Sequence, residues 1–205
     1  MSQSDFLLRR LHSLTGVIPV GLFLLEHIFT ISLGIFGAAY FNAATEFFGS
    51  IPIKGFIEIV FIAIPLILHA GYGLYVALLS KNNVLTYSYF RNWTFFLQRI
   101  TAYIAFIFIL WHVWALRFGG AGLGSVNTFE QLTQIMSDPC YFIIHIVGYL
   151  AVVFHFCNGL WGFLITWGIT TGERSQTISQ VLCLSLGVLL AAVGMFAVVV
   201  FKGVF

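Results

Sequence analysis

Six histidines, His12, His27, His69, His112, His145 and His155, are the residues of this 205-residue chain best suited to chemistry. Imidazole is a metal ligand, a proton carrier and a hydrogen-bonding group. Four of the six, His27, His69, His112 and His155, follow one another at intervals of 42, 43 and 43 residues. Each falls in a long apolar stretch, where an ionisable side chain is costly and usually functional. Even spacing alone proves little, because a helix and its loop occupy about that length. The three cysteines, Cys140, Cys157 and Cys183, are far apart and form no C-x-x-C or C-x-x-C-H pattern. That argues against a disulfide framework, a zinc site and covalently attached haem.

The elements that must position these rings follow from composition. Charged residues make up 8 % of the chain and hydrophobic ones 60 %, against about 25 % charged in soluble domains. Mean hydropathy is +1.00. So few charges cannot clothe a water-facing surface, and lipid must do so. A net charge of +2 is too small to suggest a nucleic-acid partner. Five apolar stretches run over 14–36, 53–79, 93–118, 141–167 and 178–201. Each exceeds the ~20 residues that cross a bilayer, and none alternates as a barrel strand would. The first is too long for a signal peptide, carries Glu26 and His27, and lacks a small-residue cleavage site. The expected fold is all-α, with five transmembrane helices in a single membrane domain spanning 1–205. Four of the helices form a ligand-binding bundle. Residues 38–52 suit a helix along the outer surface. With the N-terminus inside, Arg9, Arg10, Lys81, Arg91, Arg99 and Arg174 lie on the cytoplasmic side, and Lys54, Arg117 and Lys202 outside. Basic residues favour the cytoplasmic face, so this predicts N-in, C-out.

Depth then sorts the histidines. At the helical rise, His27 lies about 9 Å and His112 about 8 Å below the outer ends of their spans. His69 and His155 lie about 22 Å and about 24 Å down. His27 therefore pairs with His112, and His69 with His155. Each pair comes from spans of the same direction, diagonal to each other in a four-helix bundle. Two such rings can clamp a flat macrocycle, and bis-histidine haem is the usual one. A bare zinc, copper or iron ion would want three or four ligands at one depth. Gly73, one turn past His69, and Gly148, Gly159 and Gly162, on the His155 face, leave room for a bulky guest or for close helix packing. The pattern predicts two non-covalent b haems. His145 lacks a partner at its depth and reads as structural or interfacial.

Short motifs point the same way: RRLHS at 9–13, KNN at 81–83, YSYFRNW at 87–93, HVW at 112–114, FHF at 154–156, NGLW at 158–161, WGIT at 167–170 and RSQ at 174–176. Across nearly its whole length the chain resembles the cytochrome b558 membrane-anchor family of succinate dehydrogenases. The similar type is the single-subunit, two-haem one of Bacillus and related bacteria. The resemblance implies haem ligation by His69 and His155 at the cytoplasmic haem and by His27 and His112 at the outer one. It implies a bacterial cytoplasmic membrane and two cytoplasmic partners, a flavoprotein with covalent FAD and an iron–sulfur protein. Electrons from succinate would pass through the clusters, the inner haem and the outer haem to menaquinone. Some related fumarate reductases carry a glutamate two residues before the counterpart of His155, where this chain has Val153.

Several polar residues have two readings. Glu58 either pairs with Lys54 at i,i+4 or exchanges protons at an outer quinone site. Glu26, beside His27, is a lesser candidate of the same kind. Arg117 either meets an outer-haem propionate or snorkels to the interface. Arg99 and Ser13 are the matching candidates at the inner haem, and His12 either meets a propionate there or is simply interfacial. The aromatic, basic segment 87–93 suits docking of the iron–sulfur subunit, although aromatic belts occur at any membrane interface. Nothing in the chain can oxidise succinate by itself, because it has no flavin fingerprint and no soluble domain. Two other functions compete. A stand-alone two-haem reductase of the cytochrome b561 kind would need no soluble partner. A cofactor-free transporter should show paired Asp/Glu in its spans, where they are nearly absent.

Overall fold

The computed structural model describes residues 3–203. Among them there is no strand, and five helices are long and apolar enough to cross a membrane. These are α1 (Gln3–Phe36), α3 (Lys54–Leu79), α4 (Phe90–Arg117), α6 (Pro139–Thr166) and α7 (Glu173–Phe201). Two shorter helices, α2 (Ala38–Gly49) and α5 (Phe129–Met136), occupy connections at one end. That end, which carries Lys54, Arg117 and Lys202, is called outer below.

Helix α1 begins well before the apolar stretch that starts at residue 14. The preceding segment is polar but holds neither Pro nor Gly, so nothing in it stops a helix. Pro19 then divides α1 into Gln3–Val17 and Pro19–Ser32, because its ring removes a backbone donor. The chain leaves α1 at Gly37, whose φ of 111° lies where a side chain is strained. Helix α2 follows at the expected surface position.

Helix α5 lies within the long connection between α4 and α6. Its signal is a capping box: Thr128 Oγ1 accepts from Gln131 N (3.3 Å), and Gln131 Oε1 accepts from Thr128 N (3.2 Å). Asn42 on α2 accepts from Phe129 N at 2.7 Å, tying the two surface helices together. Phe41, Leu132, Ile135, Met136, Ala197 and Phe201 form one buried cluster, so α2 and α5 close over the outer end of α7.

Helix α6 is the hub, packing most extensively on α4 and α7. Asp138 caps its start by accepting from Cys140 N (2.7 Å) and Tyr141 N (3.2 Å), with Pro139 in the first turn. Its end explains the WGIT motif. Gly168, at φ 71°, lets Ile169 N reach Leu164 O (2.9 Å) while Gly168 N reaches Ile165 O (3.0 Å), a Schellman stop. Ile28, Val153 and Cys157 form the mid-bundle core, so the Val153 position is dry and apolar. Helix α3 has no buried residue and is held mainly through the first half of α1. At the inner end, Asn92 donates to Asn83 Oδ1 (2.9 Å) and Tyr87 O (2.7 Å), and Trp93 Nε1 to Ser88 Oγ (3.0 Å). The KNN and YSYFRNW motifs are thus the two sides of one closed loop.

Candidate functional site

The bundle brings the four evenly spaced histidines together in twos. The His69 and His155 rings have centroids 6.1 Å apart and planes crossed at 80°. Those of His27 and His112 are 6.0 Å apart, crossed at 79°. These are the pairs that the depth argument selects. Along α6, the ten residues from His145, which touches His112, to His155 correspond to about 15 Å between the pairs.

Each inner ring is aimed by a main-chain carbonyl. His69 Nδ1 lies 2.9 Å from His12 O, and His155 Nδ1 lies 3.1 Å from Gln98 O. A carbonyl only accepts, so both Nδ1 atoms carry the proton and both Nε2 atoms keep a free lone pair. Gln98 holds His155 twice, because its side-chain Nε2 also donates to His155 O at 2.9 Å. Asn158, from the NGLW motif, donates to Gln98 Oε1 at 2.8 Å and completes the clasp. Sequence reading missed Gln98, since a lone glutamine in an apolar span has no pattern of its own. His12 stacks on His69, with centroids 4.3 Å apart and planes 8° from parallel. The outer ligand candidate His112 differs, because its Nδ1 faces another ring, His145 Nε2 at 3.3 Å.

At three of the four glycines that could have left room for a guest, protein fills the space. A Cβ on Gly73 would lie 2.8 Å from His12 Nε2, one on Gly148 2.1 Å from the Phe108 ring, and one on Gly159 3.2 Å from Gln98 Nε2. Only at Gly162, of the four singled out, is there open space. Gly16 was not singled out, yet a Cβ there would lie 2.3 Å from His69 Cε1.

The other candidates lie as follows. Arg99 is buried; it donates to Asn82 Oδ1, lies 4.5 Å over the Phe95 ring, and its Nε has no partner among the described residues. With Ala77, Ser80, Phe96 and Tyr103 it lines a hollow of about 220 Å³. Ser13 gives its one hydroxyl donor to Arg10 O (2.9 Å) and accepts from Trp167 Nε1 (3.0 Å). Glu26 accepts from Thr30 Oγ1 at 2.7 Å. Glu58 and Arg117, read separately from the sequence, bind each other: Arg117 donates to Glu58 Oε2 at 2.9 Å, while Lys54 stays at 3.8 Å. Both lie on π-helical turns, Glu58–Ala63 and Val113–Arg117, a local widening common at functional sites. Being half exposed, the pair contributes at most about 1 kcal/mol to stability.

Two crossed imidazoles can serve one metal between them. A metal–imidazole bond of about 2 Å on each side, plus roughly 1 Å from nitrogen to ring centroid, gives about 6 Å. Both pairs match that separation, and the free Nε2 atoms of the inner pair are the donors it requires. No group of three or more His, Cys, Asp or Glu among the described residues forms a bare-ion site. The paired donors therefore fit a haem iron, which His69 with His155 and His27 with His112 would hold.

Fold and site together define a multi-pass membrane protein with paired imidazoles at two levels of a helical bundle. Residues 79–196 match the succinate dehydrogenase/fumarate reductase transmembrane subunit family. The chain is also 47 % identical over 197 residues to the succinate dehydrogenase cytochrome b558 subunit of Bacillus subtilis (strain 168), covering 96 % of this chain and 97 % of that one. The chain belongs to this family of membrane-anchor subunits.

Proposed function

We propose that the chain is the two-haem cytochrome b anchor of a succinate dehydrogenase, through which electrons reach menaquinone. The observation that carries this reading is the two imidazole pairs, 6.0 and 6.1 Å between centroids, on separate levels. His69 and His155 hold the inner haem, His27 and His112 the outer one. Bound there, the two irons supply one-electron carriers between an iron–sulfur partner and the quinone. The protein's own task is orientation. His12 O and Gln98 O fix the inner rings, and Arg99, with its unpartnered Nε, offers a cation to an inner carboxylate. The loop over 87–93 docks the iron–sulfur subunit, itself bound to the FAD-bearing flavoprotein. The excess of basic residues at that end supports an orientation with it and the N-terminus on the cytoplasmic face and the C-terminus outside.

The test is a haem count on the complex purified from membranes. Acid-acetone extraction should release two haems per chain, and a ratio near one or zero would refute the reading. The flavoprotein and iron–sulfur subunits should co-purify, which a stand-alone reductase would not require.

Glu58 is the acid at the quinone end in this reading. It sits near the outer end of α3, bound to Arg117 five residues beyond His112, and quinone reduction there consumes protons that lipid cannot deliver. Glu58→Gln should keep both haems and normal haem reduction by succinate. Menaquinone reduction should slow at least about tenfold, or ~1.4 kcal/mol in barrier. Unchanged quinone turnover would reduce Glu58 to a tie between α3 and α4.

A further inference from the structure

His145 is the buried histidine that the two pairs leave over, and it is only 6 % exposed. Its Nδ1 lies 2.7 Å from Tyr141 O, one turn back on α6. The carbonyl can only accept, so Nδ1 holds the proton and Nε2 is an acceptor. That acceptor faces His112 Nδ1 at 3.3 Å. The donors therefore run from His112 to His145 to the Tyr141 carbonyl, and His112 keeps its own Nε2 lone pair free. Trp111 (5.2 Å between ring centroids) and Phe108 (5.6 Å), one turn apart on α4, both pack edge-to-face with the His145 ring. Phe108 itself fits only because Gly148 has no Cβ. The inner rings lean on backbone carbonyls, which every residue type supplies. The outer ring leans on a side chain, which the sequence can change.

We propose that His145 is a positioning residue for the outer haem: acting through His112, it fixes the ligating tautomer and strengthens the ligand's electron donation. The proposal rests on the two-haem reading above. A hydrogen-bond acceptor behind a ligating imidazole raises its basicity. A more basic axial ligand stabilises the oxidised iron and lowers the reduction potential. His145 thus sets the outer haem lower than an unsupported His112 would.

Potentiometric titration of the purified complex tests this, following both b-type components in wild type, His145→Phe and His145→Gln. Phenylalanine fills the aromatic box without an acceptor, whereas glutamine returns an amide oxygen near the place of Nε2. His145→Phe should favour reduction of the outer haem about tenfold, which is about 59 mV for one electron. The inner haem should not move, and His145→Gln should restore most of the wild-type value. If His145→Phe loses the outer haem altogether, its retention in His145→Gln supports the proposal and its loss in both overturns it. An unchanged outer potential in His145→Phe, or an equal shift of both haems, overturns it as well. A wild-type complex without two b-type components would instead bring down the two-haem reading, and this proposal with it.

Discussion

His69→Ala should remove the inner haem and leave the outer one in place. Truncation deletes the imidazole that α3 brings to His155, 6.1 Å away between centroids. A single remaining imidazole cannot clamp the macrocycle from both faces. The outer pair depends on other contacts, those of His27 with Phe23 and of His112 with His145, roughly 15 Å along α6 by helical rise. The reduced-minus-oxidised spectrum should lose one component, and extractable haem should fall from two per chain to one. His27→Ala should give the mirror result, losing the outer component and keeping the inner. Loss of both components from a still-assembled complex in either variant would refute this pairing.

Gly16→Ala is expected to do nearly the same damage to the inner site with a single methyl group. The new carbon would lie 2.3 Å from His69 Cε1 and 2.5 Å from Nδ1, where carbon contacts are comfortable only from about 3.5 Å. The ring cannot swing aside freely. It is stacked on His12 at 4.3 Å and donates to the His12 carbonyl at 2.9 Å. Overpacking of this kind costs about 1–3 kcal/mol when the neighbours must move. Here the cheapest movement takes the ligand off its axis, so inner-haem affinity should drop about 10- to 100-fold, as for lost supporting contacts. Gly162→Ala is the matched control, because nothing lies within 4 Å of a Cβ there. Haem titration of the two complexes decides the matter, and full inner-haem occupancy in Gly16→Ala would show that His69 has slack.

Family membership, the five crossings and the pairing of four rings were legible without coordinates. Apolar length sets the helices, and histidines have few reasons to be in lipid. A fixed rise per residue turns sequence position into depth, so rings at equal depth on neighbouring spans must meet. Boundaries were less legible. The polar start of α1 carries no stop signal, and the Thr128–Gln131 capping box lies in a segment too short and mixed to stand out.

Depth is therefore written in the residue order: it says which rings share a level of the bundle. Azimuth, meaning which neighbour each side chain turns toward around its helix axis, is visible only once the helices are packed. That is why Glu58 meets Arg117 at 2.9 Å instead of relying on Lys54. It is why Gly73 seats His12 and Gly148 seats Phe108, where a planar guest was one expectation. It is also why Gln98, which no pattern marks, stands behind His155, and why His145, expected to lack a partner at its depth, instead stands 3.3 Å behind His112. Rise along a helix is a property of the backbone, the same for every residue. Rotation of one helix against another depends on how all their side chains pack at once, and no local pattern records that.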